Sequence, residues 1–252
     1  MLEGRKAIVT GAGNGLGLAI ARRFVELGAK VLLVDKEEAV LSRVGAGQLS
    51  PQAAFAMMKD LADVDAAKAV FGEATAKLGE VDTLINNAAW SFHKPMLEVT
   101  TAEFDRMIAI NQRAPYFLAQ EFSRQLSRAA RRPADPVILN IGSVNALSGN
   151  ENLVAYAGTK GAIVAMTRAM AVELKGLGIR VNCISPSAVR TWVTQKLIDS
   201  GGIVPEQLFA DYINKRFASC EEIAELAAYM CSKSATFVNG ANWVIDGGFM
   251  AH

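Results

Sequence analysis

The feature that most limits what this chain can fold into is a glycine-rich turn close to its start. Thr10-Gly11-Ala12-Gly13-Asn14-Gly15-Leu16-Gly17 follows a short apolar run, Lys6 to Thr10, and leads into a stretch where Leu16, Ile20, Phe24 and Leu27 recur at helical spacing. Gly28 stands where a helix C-terminus favours glycine, and Lys30 to Asp35 reads as the next strand. The pattern is a complete strand–helix–strand unit. Glycines at such a turn let the backbone approach a pyrophosphate, and the helix N-terminus faces its charge. Gly11, Asn14, Gly15, Leu16 and Gly17 are therefore candidate dinucleotide contacts. The strict G-x-G-x-x-G spacing is not met, because Leu16 stands where the third glycine would follow Gly11 and Gly13.

The alternation continues along the chain. Further strands are expected at Ala54 to Asp60, Val81 to Asn86, Val137 to Ile141, Ile179 to Ile184 and Asn242 to Asp246, with amphipathic stretches between them. This predicts an α/β fold: a Rossmann-type doubly wound parallel sheet flanked by helices, forming one domain over residues 1–252. Arg128 to Pro136 reads as a polar loop. Residues 186–217 break the alternation and form the expected lid over a site. Asp35 closes the second strand, where a carboxylate accepts hydrogen bonds from an adenosine ribose. Asp60 is expected to end the third strand, with Leu61 as an apolar edge for adenine and Asp63 as the cap of the next helix, which runs to Leu78 and Gly79.

The remaining composition excludes several classes of function. A formal net charge of +1 supplies no basic field for nucleic acid or an anionic membrane, which leaves a small molecule as the expected partner. Charges such as Arg168 and Glu173 interrupt every apolar stretch short of a membrane span. The opening Met1-Leu2-Glu3-Gly4-Arg5-Lys6 lacks the pattern of a secretory signal, so the expected location is cytoplasmic. Cys183, Cys220 and Cys231 lack C-x-x-C spacing and read as buried reduced thiols. With only His93 and His252 as histidines, no catalytic metal is expected.

The second half carries groups suited to proton transfer. Tyr156 and Lys160 stand at i and i+4, on one face of a predicted helix. A neighbouring cation stabilises phenolate, so Lys160 is expected to draw the Tyr156 pKa below its ordinary value of about 10. Ser143 ends the run Val137 to Ser143 and is placed to hydrogen-bond a reacting oxygen, although such serines are usually turn residues. Asn111 lies in a long helix opening at the capping box Thr100-Thr101-Ala102-Glu103. On its own it reads as a polar residue on a solvated face. Pro115, four residues on, has no N–H, so the Asn111 carbonyl lacks its helical donor and is free to bind water.

Taken in order, these motifs resemble the short-chain dehydrogenase/reductase family across nearly the whole chain. Thr10 to Gly17 is similar to its T-G-x-x-x-G-x-G loop, Asn86-Asn87-Ala88-Ala89 to its N-N-A-G, and Ser143, Tyr156 and Lys160 to its serine and Y-x-x-x-K. Asn111, Pro186 to Thr191 and Ile245-Asp246-Gly247-Gly248 follow in the family's order. The resemblance implies a catalytic tetrad of Asn111, Ser143, Tyr156 and Lys160, with a proton-relay water between the Asn111 carbonyl and Lys160. It also implies cofactor contacts at Asn87, Ala88, Tyr156, Lys160, Pro186, Val189 and Thr191, and a homotetramer. Ala89 and Ser187 replace two usual glycines, each adding a side chain beside the expected cofactor path.

The resulting expectation is an oxidoreductase moving a hydride between a secondary alcohol or ketone and NAD, with NADP disfavoured by the Asp35 carboxylate. The family places substrate contacts in loops that here hold Trp90, His93, Asn145, Glu151 and Trp192, which suit a sugar, polyol or hydroxy acid. The rival readings are an NADPH-dependent 3-oxoacyl thioester reductase and a dinucleotide-sensing protein without chemistry.

Overall fold

A computed structural model describes residues 1–45, 49–130 and 132–251. Arg131 in the polar loop and His252 lie outside the described residues. The strands are β1 (Lys6–Thr10), β2 (Lys30–Asp35), β3 (Ala54–Met58), β4 (Thr83–Asn86), β5 (Val137–Ile141), β6 (Arg180–Pro186) and β7 (Asn242–Ile245). All pair in parallel, in the order β3-β2-β1-β4-β5-β6-β7. The order reverses between β1 and β4, and the crevice at their C-terminal ends is where a doubly wound sheet offers a binding site.

The central strands read as continuous apolar runs because both of their faces are covered. On one face, α1 (Gly15–Glu26) packs with α9 (Cys220–Met230), burying Ile20, Phe24, Ile223 and Ala227 against the sheet. On the other, α3 (Ala66–Leu78) and α5 (Ala114–Arg128) bury Phe71, Leu118 and Phe122. The remaining helices are α2 (Ala39–Gly45), α4 (Thr101–Ile108), α6 (Val154–Glu173), α7 (Trp192–Asp199) and α8 (Pro205–Leu208). After β6 the chain forms α7 and α8, with Phe209, Tyr212 and Phe217 as a small core of their own.

Several expected boundaries shift. β3 ends at Met58, so Asp60 lies two residues beyond it, while β6 runs on to Pro186. Asp63 does not cap α3. Asp65 holds the cap position without a side-chain bond, and Asp63 instead accepts from Lys59 Nζ at 2.6 Å. The capping box opening α4 is present, with Thr100 and Glu103 bonded reciprocally. All three cysteines are buried and unbonded to one another.

At the opposite end of the sheet, charged residues gather where four strands begin. Asp135 accepts from Arg5 NH2 at 2.8 Å and from Arg180 Nε at 2.6 Å, and Arg5 also lies 3.6 Å from Asp82. Asp135 adopts φ +58°, a left-handed conformation that non-glycine residues seldom take.

Candidate active site

The glycine-rich loop and the end of β4 are stitched together by side chains. Thr10 Oγ1 accepts from the amides of Asn87 (3.0 Å) and Ala88 (3.1 Å), and Asn87 Nδ2 donates to the carbonyls of Thr10 (2.9 Å) and Gly11 (3.2 Å). This close approach explains the glycine spacing. Gly11 has φ +65°, and a Cβ there would lie 2.8 Å from Ala88 Cα. A Cβ at Gly17 would lie 2.1 Å from the Gly11 carbonyl oxygen, so position 17, not 16, must be bare.

The crevice holds a cleft of about 820 Å³. Of the expected cofactor contacts, Gly11, Asn14, Gly15, Leu16, Gly17, Asp35, Asp60, Leu61, Asn87, Ala88 and Thr191 line it. Pro186, Val189, Tyr156 and Lys160 are not on its wall. Pro186 closes β6, and the Val189 carbonyl accepts from Thr194 Oγ1 at 2.9 Å. Ala89 faces the cleft and Ser187 does not. Asp35 accepts from the amides of Gly13 (2.9 Å) and Glu37 (3.1 Å), which fixes its carboxylate on the wall. Lys36, Arg43 and Lys59 line the same end, and Arg43 Nε donates to the Gly13 carbonyl at 3.0 Å. A bare glycine cradle at a helix N-terminus, with a carboxylate at the next strand end, fits a dinucleotide.

α6 presents Tyr156, Thr159 and Lys160. Lys160 is buried, donates from Nζ to the Ile141 carbonyl at 2.7 Å, and lies 5.6 Å from the centroid of the Tyr156 ring. Burial pushes its ammonium down to about 8, opposed by the nearby Cys183. Tyr156 departs from expectation. Burial pushes its phenol up to about 12, and a hydrogen bond with Ser143 works the other way. Desolvation disfavours the charged phenolate more than the Ser143 bond favours it. Ser143 also accepts from the Asn145 amide at 3.2 Å, so it is a turn residue and a neighbour of Tyr156 at once.

Asn111 is buried, not solvated. It sits in a π-helical turn, Ala109–Arg113, that joins α4 to α5 just before Pro115. Pro115 offers no N–H to the Asn111 carbonyl, and the wider turn forms where the regular ladder is broken. Asn111 Oδ1 accepts from the Trp90 amide at 2.8 Å, and its Nδ2 donates to Trp90 O (2.9 Å) and Thr159 Oγ1 (3.2 Å). Thr159 Oγ1 donates in turn to the Tyr156 carbonyl at 2.8 Å. A chain of bonds thus runs from the loop after β4 to the backbone of Tyr156.

The expected substrate contacts separate. Trp90 and Trp192 line the large cleft, His93 and Glu151 are exposed, and Asn145 accepts from Asn150. Phe92 meets Trp90 edge-on at 5.2 Å, and Arg106 lies 5.9 Å over the Trp90 ring while pairing with Asp60 at 2.9 Å. Phe92, Lys94, Asn152 and Tyr156 line a second hollow of about 520 Å³. Sequence reasoning did not single out Thr159, Arg106 or Arg43. Thr159 was within reach, since it shares the turn of α6 that carries Lys160, whereas nothing local marks the two arginines.

Comparison with known proteins agrees with this fold. Residues 11–250 match the family model described as enoyl-(acyl carrier protein) reductase. The chain is 34% identical over 254 residues to the galactitol 2-dehydrogenase (L-tagatose-forming) of Cereibacter sphaeroides, covering 98% of this chain and 96% of the relative. It is similar to the structure of a 3-ketoacyl-(acyl-carrier-protein) reductase from Brucella melitensis complexed with NADH, at TM-score 0.87 and 34% identity over 99% of each chain. It is also similar to a Beutenbergia cavernae protein assigned as an NAD(P)-dependent gluconate 5-dehydrogenase, with NADP bound at low occupancy. There the TM-score is 0.88 and the identity 32%, over 100% of this chain and 98% of the other.

Proposed function

Because the chain belongs to the short-chain dehydrogenase/reductase family, we propose that it oxidises a secondary alcohol of a small polar compound, a sugar, polyol or hydroxy acid, with NAD. The observation that carries this reading is the arrangement at α6. Tyr156 has Lys160 beneath its ring and Ser143 at its hydroxyl, and is tied through Thr159 and Asn111 to the loop after β4.

In the oxidative direction Tyr156, as phenolate, takes the substrate's hydroxyl proton while the hydrogen on the carbinol carbon leaves with its electron pair. The dinucleotide, when bound, supplies the acceptor for that hydride. Ser143 holds the reacting oxygen by a hydrogen bond. Lys160 steadies the phenolate and binds the nicotinamide ribose, and the Asn111 carbonyl carries a water that passes the proton outward. Gly11, Gly15 and Gly17 seat the pyrophosphate, Asp35 the adenosine ribose, and Thr191 the carboxamide. Residues 186–217 act as a lid on the domain of residues 1–252.

The protein is further read as a cytoplasmic homotetramer. Three unpaired buried thiols suit a reducing compartment, and the alanine-rich face of α6 suits close packing against a second copy. The test is NADH formation over sugars, polyols, hydroxy acids, steroids and 3-hydroxyacyl thioesters, with light scattering for mass. A best efficiency among steroids or thioesters, with sugars and polyols inert, would overturn the substrate class.

A further inference from the structure

The cations near the reaction centre are already engaged. Lys94 shares the second hollow with Tyr156, yet its Nζ lies 3.0 Å from each oxygen of Glu103, and its amide donates to the Asn152 carbonyl at 3.0 Å. Glu103 also takes the amide (2.9 Å) and hydroxyl (2.8 Å) of Thr100 in the capping box of α4. Four bonds hold its carboxyl charged, down to about 2. Arg106 is bound to Asp60 and lies over Trp90. Lys160 is buried on the Ile141 carbonyl, and Lys196 is stacked 3.7 Å over the Trp192 ring.

The other polar groups of these loops are amides. Asn152 is exposed on the wall of the hollow, and exposed Asn150 donates to half-buried Asn145. Glu151 is exposed and has no ion pair among the described residues. Amides satisfy neutral hydroxyls in either hydrogen-bonding sense. A carboxylate seated in the hollow beside Lys94 would find that ammonium already paired with Glu103.

Resting on the dehydrogenase reading above, we infer that the substrate is an uncharged polyhydroxy compound, a diol, polyol or ketose, and that Glu103 excludes hydroxy acids by holding Lys94. Glu103 is a specificity-determining residue in this account, acting through Lys94 without touching substrate.

The test is a matched pair, a neutral polyol and the sugar acid of the same chain length and configuration at the reacting carbon. The assay is run at one fixed, mildly alkaline pH for both compounds. The wild-type chain is expected to favour the polyol by about tenfold or more in kcat/KM. Glu103→Gln retains a capping-box residue but frees the ammonium, so the acid-to-polyol ratio is expected to rise about tenfold. Adding Lys94→Met to that variant is expected to return the ratio to its wild-type value. Calorimetric titration of both compounds onto wild type and Glu103→Gln gives the same comparison as dissociation constants, and thermal unfolding reports whether the variants fold. Equal or better use of the acid by wild type overturns the inference. So does an unchanged ratio in a folded Glu103→Gln variant, or acid recognition that falls with Lys196→Met. No turnover of either compound, with NAD or NADP, alongside turnover of a thioester or steroid, overturns the substrate reading beneath it instead.

Discussion

Lys160 lies beneath the Tyr156 ring and bonds the Ile141 carbonyl at 2.7 Å, and burial displaces the two groups in opposite directions, the phenol up to about 12 and the ammonium down to about 8. Oxidation needs the phenolate, whose fraction grows about tenfold per pH unit below the phenol's pKa. The kcat/KM for oxidation should therefore climb from about pH 7 to about pH 10, while reduction, which needs the protonated phenol, should not. A pH profile in both directions checks this, and a flat oxidative limb counts against Tyr156 as the base.

The same burial makes Lys160 costly to the fold. Its folded-state pKa lies below the ordinary lysine value, so between about pH 8 and about pH 10.5 the unfolded chain binds the extra proton and stability rises with pH. Below about pH 8 the folded protein carries a desolvated ammonium. Lys160→Met should raise stability at neutral pH by on the order of 1–3 kcal/mol while removing activity. Urea unfolding at neutral and alkaline pH tests it, with the gain expected to shrink as pH rises.

Tyr156→Phe removes only the oxygen proposed to exchange the proton. Turnover should fall by about a thousandfold or more, with the NAD dissociation constant nearly unchanged. Near-normal turnover on the true substrate would refute the proton-transfer role.

Asp35 is fixed by the amides of Gly13 and Glu37, so its charge cannot swing away from a ribose 2′-phosphate. NAD should be preferred over NADP, and Asp35→Ala should narrow the preference, helped by Lys36 and Arg43 on the same wall. Paired kcat/KM values for the two cofactors decide it.

Asp135 joins Arg5 to Arg180 at the far end of the sheet from these groups. Asp135→Asn leaves two largely buried guanidinium groups short of their partner and should cost about 3 kcal/mol of stability with KM values unchanged. Denaturant titration beside steady-state kinetics separates the two effects.

The fold was legible because its signals are local. β1, β2 and β5 begin and end where their apolar runs do, and the bare positions Gly11 and Gly17 lie on either side of one turn. What escaped was set by which side chain reaches which. Asp63 reads as a cap until Lys59 takes it, and the Asn111 side chain reads as solvated until Trp90 and Thr159 enclose it. The Tyr156 pKa was misjudged because an i, i+4 spacing reveals a neighbouring cation but not the desolvation of the phenol.

The π-helical turn at Ala109–Arg113 has a consequence for what lengths this helix tolerates. Such a turn holds one residue more than a regular one, so everything after it is rotated by about 100° relative to an unbroken α-helix. Leu118, Phe122 and Leu126 point into the core only with that extra residue in place. Deleting a residue within the turn would restore regular pitch, swing this apolar stripe toward solvent and carry Asn111 away from Thr159. The packing of α5 thus acts as a ratchet that keeps the irregular turn, and the side chain it presents, from being lost by a single deletion.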